Sequence, residues 1–559
     1  MPPRGAAARV SGRFLLVYSG QIAFALRHAL EGWSLFKLKN RSVIACRIAT
    51  RLRSMKSFHS SRSAVLSGLM LVLATLGLTS CKVLYKVPQN TFAGRPVPPS
   101  QLFERVLVGV TTNGSQGFLE ILDGLRDIRG NIQDTKQTFS ISGYSGGYPS
   151  QIYNFPEQSK GFVYSSAEPS FTTINYGTEA AAGVAAAFPA ASTAIAVSAD
   201  FVRFFSAEEN AGFLTIVDNS LGTTFALNLP NVFQVVINQG DTAAIAMTRN
   251  SNSLYRIVKL NANQYTTAAI ADAAIGAIDC QPLVVPVYCV VPVPGSFDRP
   301  SGAYFSLDGS TAYVLNSGPE LGGTTASVSL IPQAALVNTN IPTAPPTVSP
   351  VTATIPIPGG VTTSISDGTT LYLAGQSQSV IGANGQSTGT ANPNGLFGGY
   401  LTTLNLASNQ VTGAYSISDG HHSQLLFADN NTLWVASQQC ANGVRQNLFA
   451  QGNTTQAANY NCLTRFDLSA LTASIVPAVN QGSSAVTVPY PNTNQDQYYY
   501  GSLTSMCWVQ NYNKVYTAYG GQIHAFNTTD GSEINNINIT VQGTALSVAY
   551  MDALTNAAN

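Results

Sequence analysis

Short runs of apolar and β-branched residues, each followed by turn residues, recur from about residue 103 almost to the end of the chain. The clearest pair of runs covers residues 302–306 and 311–315, with Asp308 and Gly309 in the turn between them. An Asp-Gly pair suits a tight turn because glycine adopts positive φ without steric cost. The pattern therefore predicts a β-hairpin, and its recurrence predicts an all-β protein.

The predicted hairpins form units that repeat along the chain. First strands are expected to begin near residues 103, 151, 194, 232, 300, 360, 421 and 503, which gives about eight units. The excess length falls in loops such as 338–350, 377–396 and 442–461. Repeated units of three or four antiparallel strands are typical of a β-propeller. We expect one propeller of about seven to eight four-stranded blades over residues 102–559. Two packed sheets are the alternative.

The hairpin also carries a family resemblance. Residues 305–316, FSLDGSTAYVLN, resemble the bacterial YVTN-type propeller repeat, whose core reads F-S-P-D-G-x-x-x-Y-V-x-N. The stretch departs from that repeat at Leu307, where the family usually has proline, and at Leu315. Other units match as divergent copies. The resemblance implies the propeller fold and transfers no active residue.

The two ends of the predicted propeller complement each other. Residues 544–551, TALSVAYM, form a single predicted strand without partners, whereas residues 103–122 form a set that lacks its first strand. Pairing them would remove exposed sheet edges, so we expect the C-terminal strand to close the N-terminal blade. The Ala-rich stretch 179–187 is the candidate exception to the all-β pattern, as a short helical turn.

The charge of the chain is divided near residue 81. Residues 1–80 hold 12 of the 28 Lys and Arg residues and one of the 27 acids, which leaves 16 basic and 26 acidic residues, a net charge of −10, for residues 81–559. No Lys/Arg cluster follows residue 81. Because a nucleic-acid binder is expected to show a basic stripe, we do not expect a nucleic-acid partner.

Residues 55–80 have the order of a secretory signal peptide. A short basic segment precedes the apolar run 64–78, which is shorter than the roughly 20 residues of a membrane-spanning helix. The end of the segment, Leu78-Thr79-Ser80-Cys81, resembles the bacterial lipobox, which implies diacylation of Cys81 as the new N-terminus. An ordinary signal peptide or an uncleaved anchor is the alternative.

The flanking segments complete the expected organisation. Residues 1–54 are expected to be an upstream extension from a mis-called start codon, with Met55 as the initiator. A long basic leader, or an amphipathic segment around residues 14–38, is the alternative. The Pro-rich residues 81–101 suit a tether between lipid and propeller. Lys82 favours sorting to the outer rather than the inner membrane, so the predicted location is the bacterial cell envelope, with a lipid anchor.

Five cysteines follow the lipobox. An exported chain lies where disulfides persist, and spacing suggests two pairs, Cys280 with Cys289 and Cys440 with Cys462. Cys507 then remains as a buried strand thiol. Since the chain has no CxxC pair and no histidine at ligand spacing from a cysteine, a structural zinc site is not expected.

Two polar clusters are candidates for chemistry. His421 and His422 follow an aspartate, and imidazoles beside a carboxylate can bind metal or move protons. Consecutive strand residues point to opposite faces, however, so a loop at the propeller mouth is the alternative. Glu208 and Glu209, followed by Asn210, are candidate Ca²⁺ ligands, with a solvated turn as the alternative. No other cofactor is predicted.

The chain contains no P-loop or H-E-x-x-H motif. The first functional hypothesis is a non-enzymatic scaffold that binds an envelope protein or a glycan. Its aromatic residues and its Asn/Gln/Thr-rich loops suit such a surface. The second is an anchored lactonase-like or hydrolase-like propeller enzyme with its site at the central channel. The third, suggested by architecture alone, is a component of the machinery that inserts outer-membrane barrels.

Overall fold

The computed structural model describes residues 97–128, 130–131, 134–155, 159–260, 265–281, 287–376, 398–440, 451–453, 461–476, 500–534 and 539–554. The chain divides into two compact units, 1–86 and 87–559, and all of these residues belong to the second. The predicted extension, signal peptide, Cys81 and most of the tether lie outside the described residues. Within those ranges no helix combines the length and the apolar character that crossing a membrane requires.

In the ranges given above, the apolar runs of the sequence form 33 strands in eight antiparallel sheets, the blades of a β-propeller. In chain order, blades 1 to 4 contain β1 (Arg105–Thr111), β2 (Gly117–Asp123), β3 (Gly130–Asn131) and β4 (Asp134–Ser140); β5 (Pro149–Asn154), β6 (Lys160–Ser165), β7 (Ser170–Asn175) and β8 (Ala180–Ala187); β9 (Ala194–Val197), β10 (Arg203–Glu208), β11 (Phe213–Asp218) and β12 (Thr223–Asn228); β13 (Val232–Ile237), β14 (Ala244–Thr248), β15 (Leu254–Leu260), β16 (Asp279–Gln281) and β17 (Val287–Val293).

Blades 5 to 8 contain β18 (Pro300–Phe305), β19 (Thr311–Asn316), β20 (Ser327–Pro332) and β21 (Ala353–Pro356); β22 (Thr363–Ser366), β23 (Thr370–Gln376), β24 (Gly399–Asn405) and β25 (Gln410–Ile417); β26 (Gly420–Ala428), β27 (Thr432–Gln439), β28 (Cys462–Asp467) and β29 (Thr472–Val476); β30 (Leu503–Val509), β31 (Lys514–Tyr519) and β32 (Gln522–Asn527). The last strand, β33 (Thr544–Tyr550), belongs to blade 1. Among the described residues, the helices are α1 (Ala268–Ile275), α2 (Gln333–Leu336) and the 3-10 turn Gly318–Leu321.

The core lies between the blades. Eight buried apolar clusters each join one blade to the next, and the eighth joins blade 8 to blade 1. The central strands of each blade are therefore covered on both faces, as in the fully buried strand β1. This explains why they appear in the sequence as continuous apolar runs rather than as alternating ones. The predicted all-β propeller of seven to eight blades is confirmed, with eight.

The hairpin identified from the sequence lies in blade 5. Strands β18 and β19 pair in antiparallel register, and the Gly309 N–H donates to the Ser306 carbonyl at 3.0 Å. Gly309 has a φ of 74°, which a side chain would disfavour. The Ser310 N–H donates to Asp308 Oδ1 at 3.0 Å, so the Asp-Gly pair fixes the turn.

The predicted closure of the ring is also confirmed. Strand β33 pairs antiparallel with β1, with Val106 opposite Tyr550 and Thr111 opposite Thr544. Beside this pair, the buried Arg105 guanidinium donates to both carboxylate oxygens of Asp552 and to Glu179 Oε1 at 2.9 Å. The N-terminal strand, the C-terminus and blade 2 are thus joined by apolar packing and by one buried ionic group.

One local expectation needs correction. The Ala-rich stretch 179–187 is not a helical turn, because Ala180–Ala187 forms β8, the outermost strand of blade 2, paired with β7. Pairing with the free edge of β7 outweighs the intrinsic helix preference of alanine. A helix occurs instead at α1, where Thr267 caps the first turn and Gly276 ends the helix with a φ of 67°.

Both predicted disulfides are present. Cys280 and Cys289 face each other across β16 and β17, with their Cα atoms 4.1 Å apart. Cys440 and Cys462 lie at the ends of β27 and β28, with their Cα atoms 5.9 Å apart. Cys507 is a free, buried thiol, as the sequence predicted.

Strand direction divides the loops between two ends of the propeller. One end carries the loops that join the second strand of a blade to the third, and the loops that join each blade to the next. This end includes Gln376, Cys440 and Val476, and we call it the insertion face. The opposite end carries the turn 306–310 and residues 97–104, and we call it the tether face. Ser100 is fixed there, since its N–H donates to Glu179 Oε2 at 2.8 Å.

Deleting residues 543–559 should abolish cooperative folding of the propeller. The deletion removes the buried side chains of Leu546, Val548 and Tyr550, at about 1.5–3 kcal/mol each, which together is comparable to the whole stability of a typical domain. Thermal unfolding followed by circular dichroism measures the effect. A chain lacking residues 555–559, beyond β33, is the control and should melt like the full chain. An unchanged melting temperature after the longer deletion would contradict ring closure.

Peptide mapping without reductant should recover Cys280 linked to Cys289 and Cys440 linked to Cys462. Burial raises the pKa of the Cys507 thiol, so Cys507 should react with iodoacetamide only after unfolding. Alkylation of Cys507 in the native protein at the rate of an unfolded control would show that this site is open to solvent.

Candidate functional site

The central channel contains a cavity of about 750 Å³ that opens towards the insertion face. Its walls come from the first strands of three blades, β5, β26 and β30, and from residues at the ends of the neighbouring loops. The described lining residues are Ser150, Gln151, Ile152, Tyr153, Ser423, Gln424, Gln438, Asn461, Ser502, Leu503, Thr504 and Ser505. Every polar side chain in this set is uncharged at neutral pH.

A recurring β-bulge creates much of this polar lining. In six of the eight blades, one residue of the first strand is left out of the pairing with the second strand. In blade 1 these two strands are β33 and β1. In the three strands that form the cavity, the skipped residues are Ser150, Ser423 and Thr504. A bulge changes the direction of a side chain, and here it places a hydroxyl-bearing residue on the channel wall. Alternation of polar and apolar positions in the sequence does not reveal a bulge.

Side chains bridge the first strands of consecutive blades around the channel. Gln424 pairs with the edge of β30, donating from Nε2 to the Met506 carbonyl and accepting the Met506 N–H at Oε1, both at 3.1 Å. Ser505 does the same for Val548 in β33, at 3.3 and 3.2 Å. Similar bonds link Ser301 to Val361, Thr362 to His422 and Ser547 to Pro149. These groups fix the cavity wall.

Other lining groups have hydrogen-bonding capacity to spare. The structure gives no side-chain hydrogen bond from Ser150, Ser423 or Gln438 to another described residue, and Ser423 and Gln438 are exposed. Gln151 accepts the Tyr153 hydroxyl at Oε1 at 2.7 Å, which leaves its amide NH₂ as a donor. The cavity therefore presents free hydroxyl and amide groups from blades 2 and 7, whereas the Thr504 hydroxyl of blade 8 donates to the Ala518 carbonyl at 3.3 Å and keeps only its capacity to accept.

The two adjacent histidines lie at the start of β26 but in different surroundings. His422 is buried, with Nε2 2.7 Å from the Ser418 carbonyl, and burial lowers the pKa of its imidazole to about 4. The ring is therefore neutral at pH 7 and donates its Nε2 proton to that carbonyl. His421, at a φ of 47°, uses its backbone N–H to bind Glu320 Oε1 at 2.9 Å. The two histidines therefore have different partners, a carbonyl for the His422 ring and a carboxylate for the His421 backbone N–H.

Sequence patterns gave no indication of Glu320. This buried carboxylate, in the Gly318–Leu321 turn of blade 5, accepts the backbone N–H groups of Gln376 and His421, each at 2.9 Å. Burial raises the pKa of Glu320 to about 7, although both bonds oppose the shift. Glu320 thereby joins blades 5, 6 and 7 on the insertion face, beside Gln376, where the stretch 377–397 begins.

The predicted Ca²⁺ candidates also diverge. Glu208 is fully buried and burial raises the pKa of its carboxyl, whereas Glu209 forms an ion pair with Arg249, with Nη2 2.8 Å from Oε2. Over the part of the chain that the structure covers, no three His, Cys, Asp or Glu residues are grouped to hold a metal ion. None of the described residues that line the cavity is an acid or a histidine.

Comparison with known proteins finds similarity in structure alone. No family model matches the chain, and no curated protein matches it in sequence. Among solved structures, Kuenenia stuttgartiensis hydrazine synthase is 15% identical, with a TM-score of 0.40, covering 72% of this chain and 100% of that one. The dihydro-heme d1 dehydrogenase NirN is 10% identical, with a TM-score of 0.44, covering 80% of this chain and 75% of that one. Likenesses this distant carry no argument about activity.

The Glu320→Gln variant should lose part of the pH dependence of stability. Because the folded-state pKa of about 7 lies above the ordinary value of 4.5, the stabilisation is complete below about pH 4.5 and is lost as the pH rises through 7. The wild type should lose up to about 3 kcal/mol of unfolding free energy across this range, and the variant should not lose this part. Urea unfolding at pH 5 and pH 8 measures both. Other groups titrate in both proteins, so equal losses would show that Glu320 does not contribute.

Proposed function

We propose that this chain is a lipid-anchored binding scaffold of the bacterial cell envelope, which presents its insertion face to an envelope protein or glycan. One observation carries the proposal. The described N-terminal residues 97–104 join the propeller at the tether face, whereas the stretches 377–397, 441–460 and 477–499 are all flanked by residues of the insertion face. A chain anchored at Cys81 would therefore enter the propeller at the end opposite these three stretches.

Composition supports a role for this face in binding. The three stretches are rich in Asn, Gln, Ser and Thr, and they carry two charged residues between them, Arg445 and Asp496. Loops supported by a rigid scaffold are common sites of recognition, because substitutions in them do not disturb the core. The channel cavity opens at the same end, so a ligand would meet the loops and the cavity together.

Site-specific photo-crosslinking in intact cells tests the proposal. A benzophenone amino acid at Gln438, exposed on the insertion face, should form reproducible adducts. The same group at Leu307, which is 70% exposed at the tether-face turn, should form none with soluble envelope partners. The Cys81→Ser form should be released from the membrane fraction. Adducts from Leu307 alone, or a Cys81→Ser protein that stays with the membrane, would overturn the proposal.

A further inference from the structure

We propose that the channel cavity binds a neutral saccharide through the hydroxyl groups of its bulge residues and the amides beside them. The inference rests on the proposed binding function and specifies the ligand of that site. It starts from the convergence of Ser150, Ser423 and Thr504, which come from three different blades and occupy the same position in the bulges of their first strands.

The chemistry of the lining selects an uncharged polar ligand. Hydroxyl and carboxamide groups both donate and accept hydrogen bonds, and sugar hydroxyls do the same. Each free lining group can therefore act as a donor or as an acceptor towards a sugar hydroxyl. A charged ligand would lose its hydration without finding an opposite charge among the described lining residues, and that loss is costly in a partly enclosed site. Glu320, the buried carboxylate of the insertion face, is already bound to two backbone N–H groups.

The size and rigidity of the cavity fit this ligand class. Its volume of about 750 Å³ lies within the roughly 300–1,000 Å³ of small-molecule sites. Gln424 and Ser505 are committed to the edges of neighbouring strands, so the wall is fixed before a ligand arrives. Preorganised polar groups lose little conformational entropy on binding. The half-buried Ile152 adds apolar surface for the C–H face of a sugar ring.

Isothermal titration calorimetry of the purified full-length protein with defined trisaccharides tests the inference. The neutral probes are maltotriose, cellotriose and chitotriose, and trigalacturonic acid is the charged probe. We expect at least one neutral trisaccharide to bind and trigalacturonic acid to bind at least tenfold more weakly. If no neutral trisaccharide binds, or if the acid binds more tightly, the inference is wrong.

Matched variants locate the site. The Ser423→Ala/Gln438→Ala variant removes two exposed cavity groups and should raise the Kd about tenfold, equivalent to about 1.4 kcal/mol. The Ser408→Ala/Gln410→Ala variant makes the same two changes at exposed positions near the tether face and should leave the Kd unchanged. Equal effects of the two variants would place the binding elsewhere. If the cavity variant unfolds, Ser150→Ala provides the same comparison in another blade.

Calorimetry and crosslinking together distinguish a wrong ligand class from a wrong proposed function. Crosslinked partners at Gln438 without any saccharide binding would leave the scaffold function in place and overturn the ligand class. Saccharide binding that responds to the cavity variant, without a lipid anchor at Cys81, would support the ligand class and overturn the anchored scaffold.

Discussion

Packing between the blades is the interaction on which the whole structure depends. A four-stranded sheet whose central strands are apolar on both faces cannot be stable alone in water, so each blade needs two neighbours. The eight apolar clusters supply them, and the last cluster, between blades 8 and 1, exists only because β33 completes blade 1. An open ring would leave two apolar faces and two strand edges exposed to water. Closure of the ring therefore stabilises the other junctions as well.

Polar groups act on the inner side of this apolar ring. The first strands present unpaired backbone groups towards the channel, and five consecutive junctions use a side chain of one first strand, or of the residue just before it, to satisfy the next. Buried backbone groups without partners are costly, so these bonds stabilise the channel wall as well as orient it. The bulges beside them turn hydroxyl groups inward. The same short segments thus serve the stability of the ring and the chemistry of the cavity.

Local chemistry made much of the fold predictable from the sequence. Asp308 and Gly309 marked a turn, and the apolar runs around them marked strands that are buried on both faces. The partnerless strand at 544–551 indicated closure, and spacing indicated the disulfides. Each of these signals lies within a few residues of the feature that it predicts, or depends on an obvious missing partner. The Ala-rich stretch 180–187 was misjudged because its strand partner, not its own residues, decides its conformation.

The candidate site was largely beyond prediction from the sequence. Glu320 meets Gln376 and His421, which are 56 and 101 residues further along the chain, and no local pattern marks that convergence. The hydroxyls of the cavity depend on one-residue bulges, which leave strand composition unchanged. Conversely, His421 and His422 were conspicuous in the sequence because they are adjacent, yet adjacency on a strand separates side chains. Residues that are adjacent in the sequence therefore need not share a site in the propeller channel.

The pairing of Val106 with Tyr550 also sets an order of events during synthesis. Nearly the whole propeller separates these two residues, so blade 1 keeps an open edge until the last strand has been made. The conformational entropy that is lost when so long a loop closes is lost late, because the contact forms after the other blades. During that interval the unfinished ring has strand edges that can pair with other chains. The chain is therefore most exposed to such pairing just before its last strand has been made.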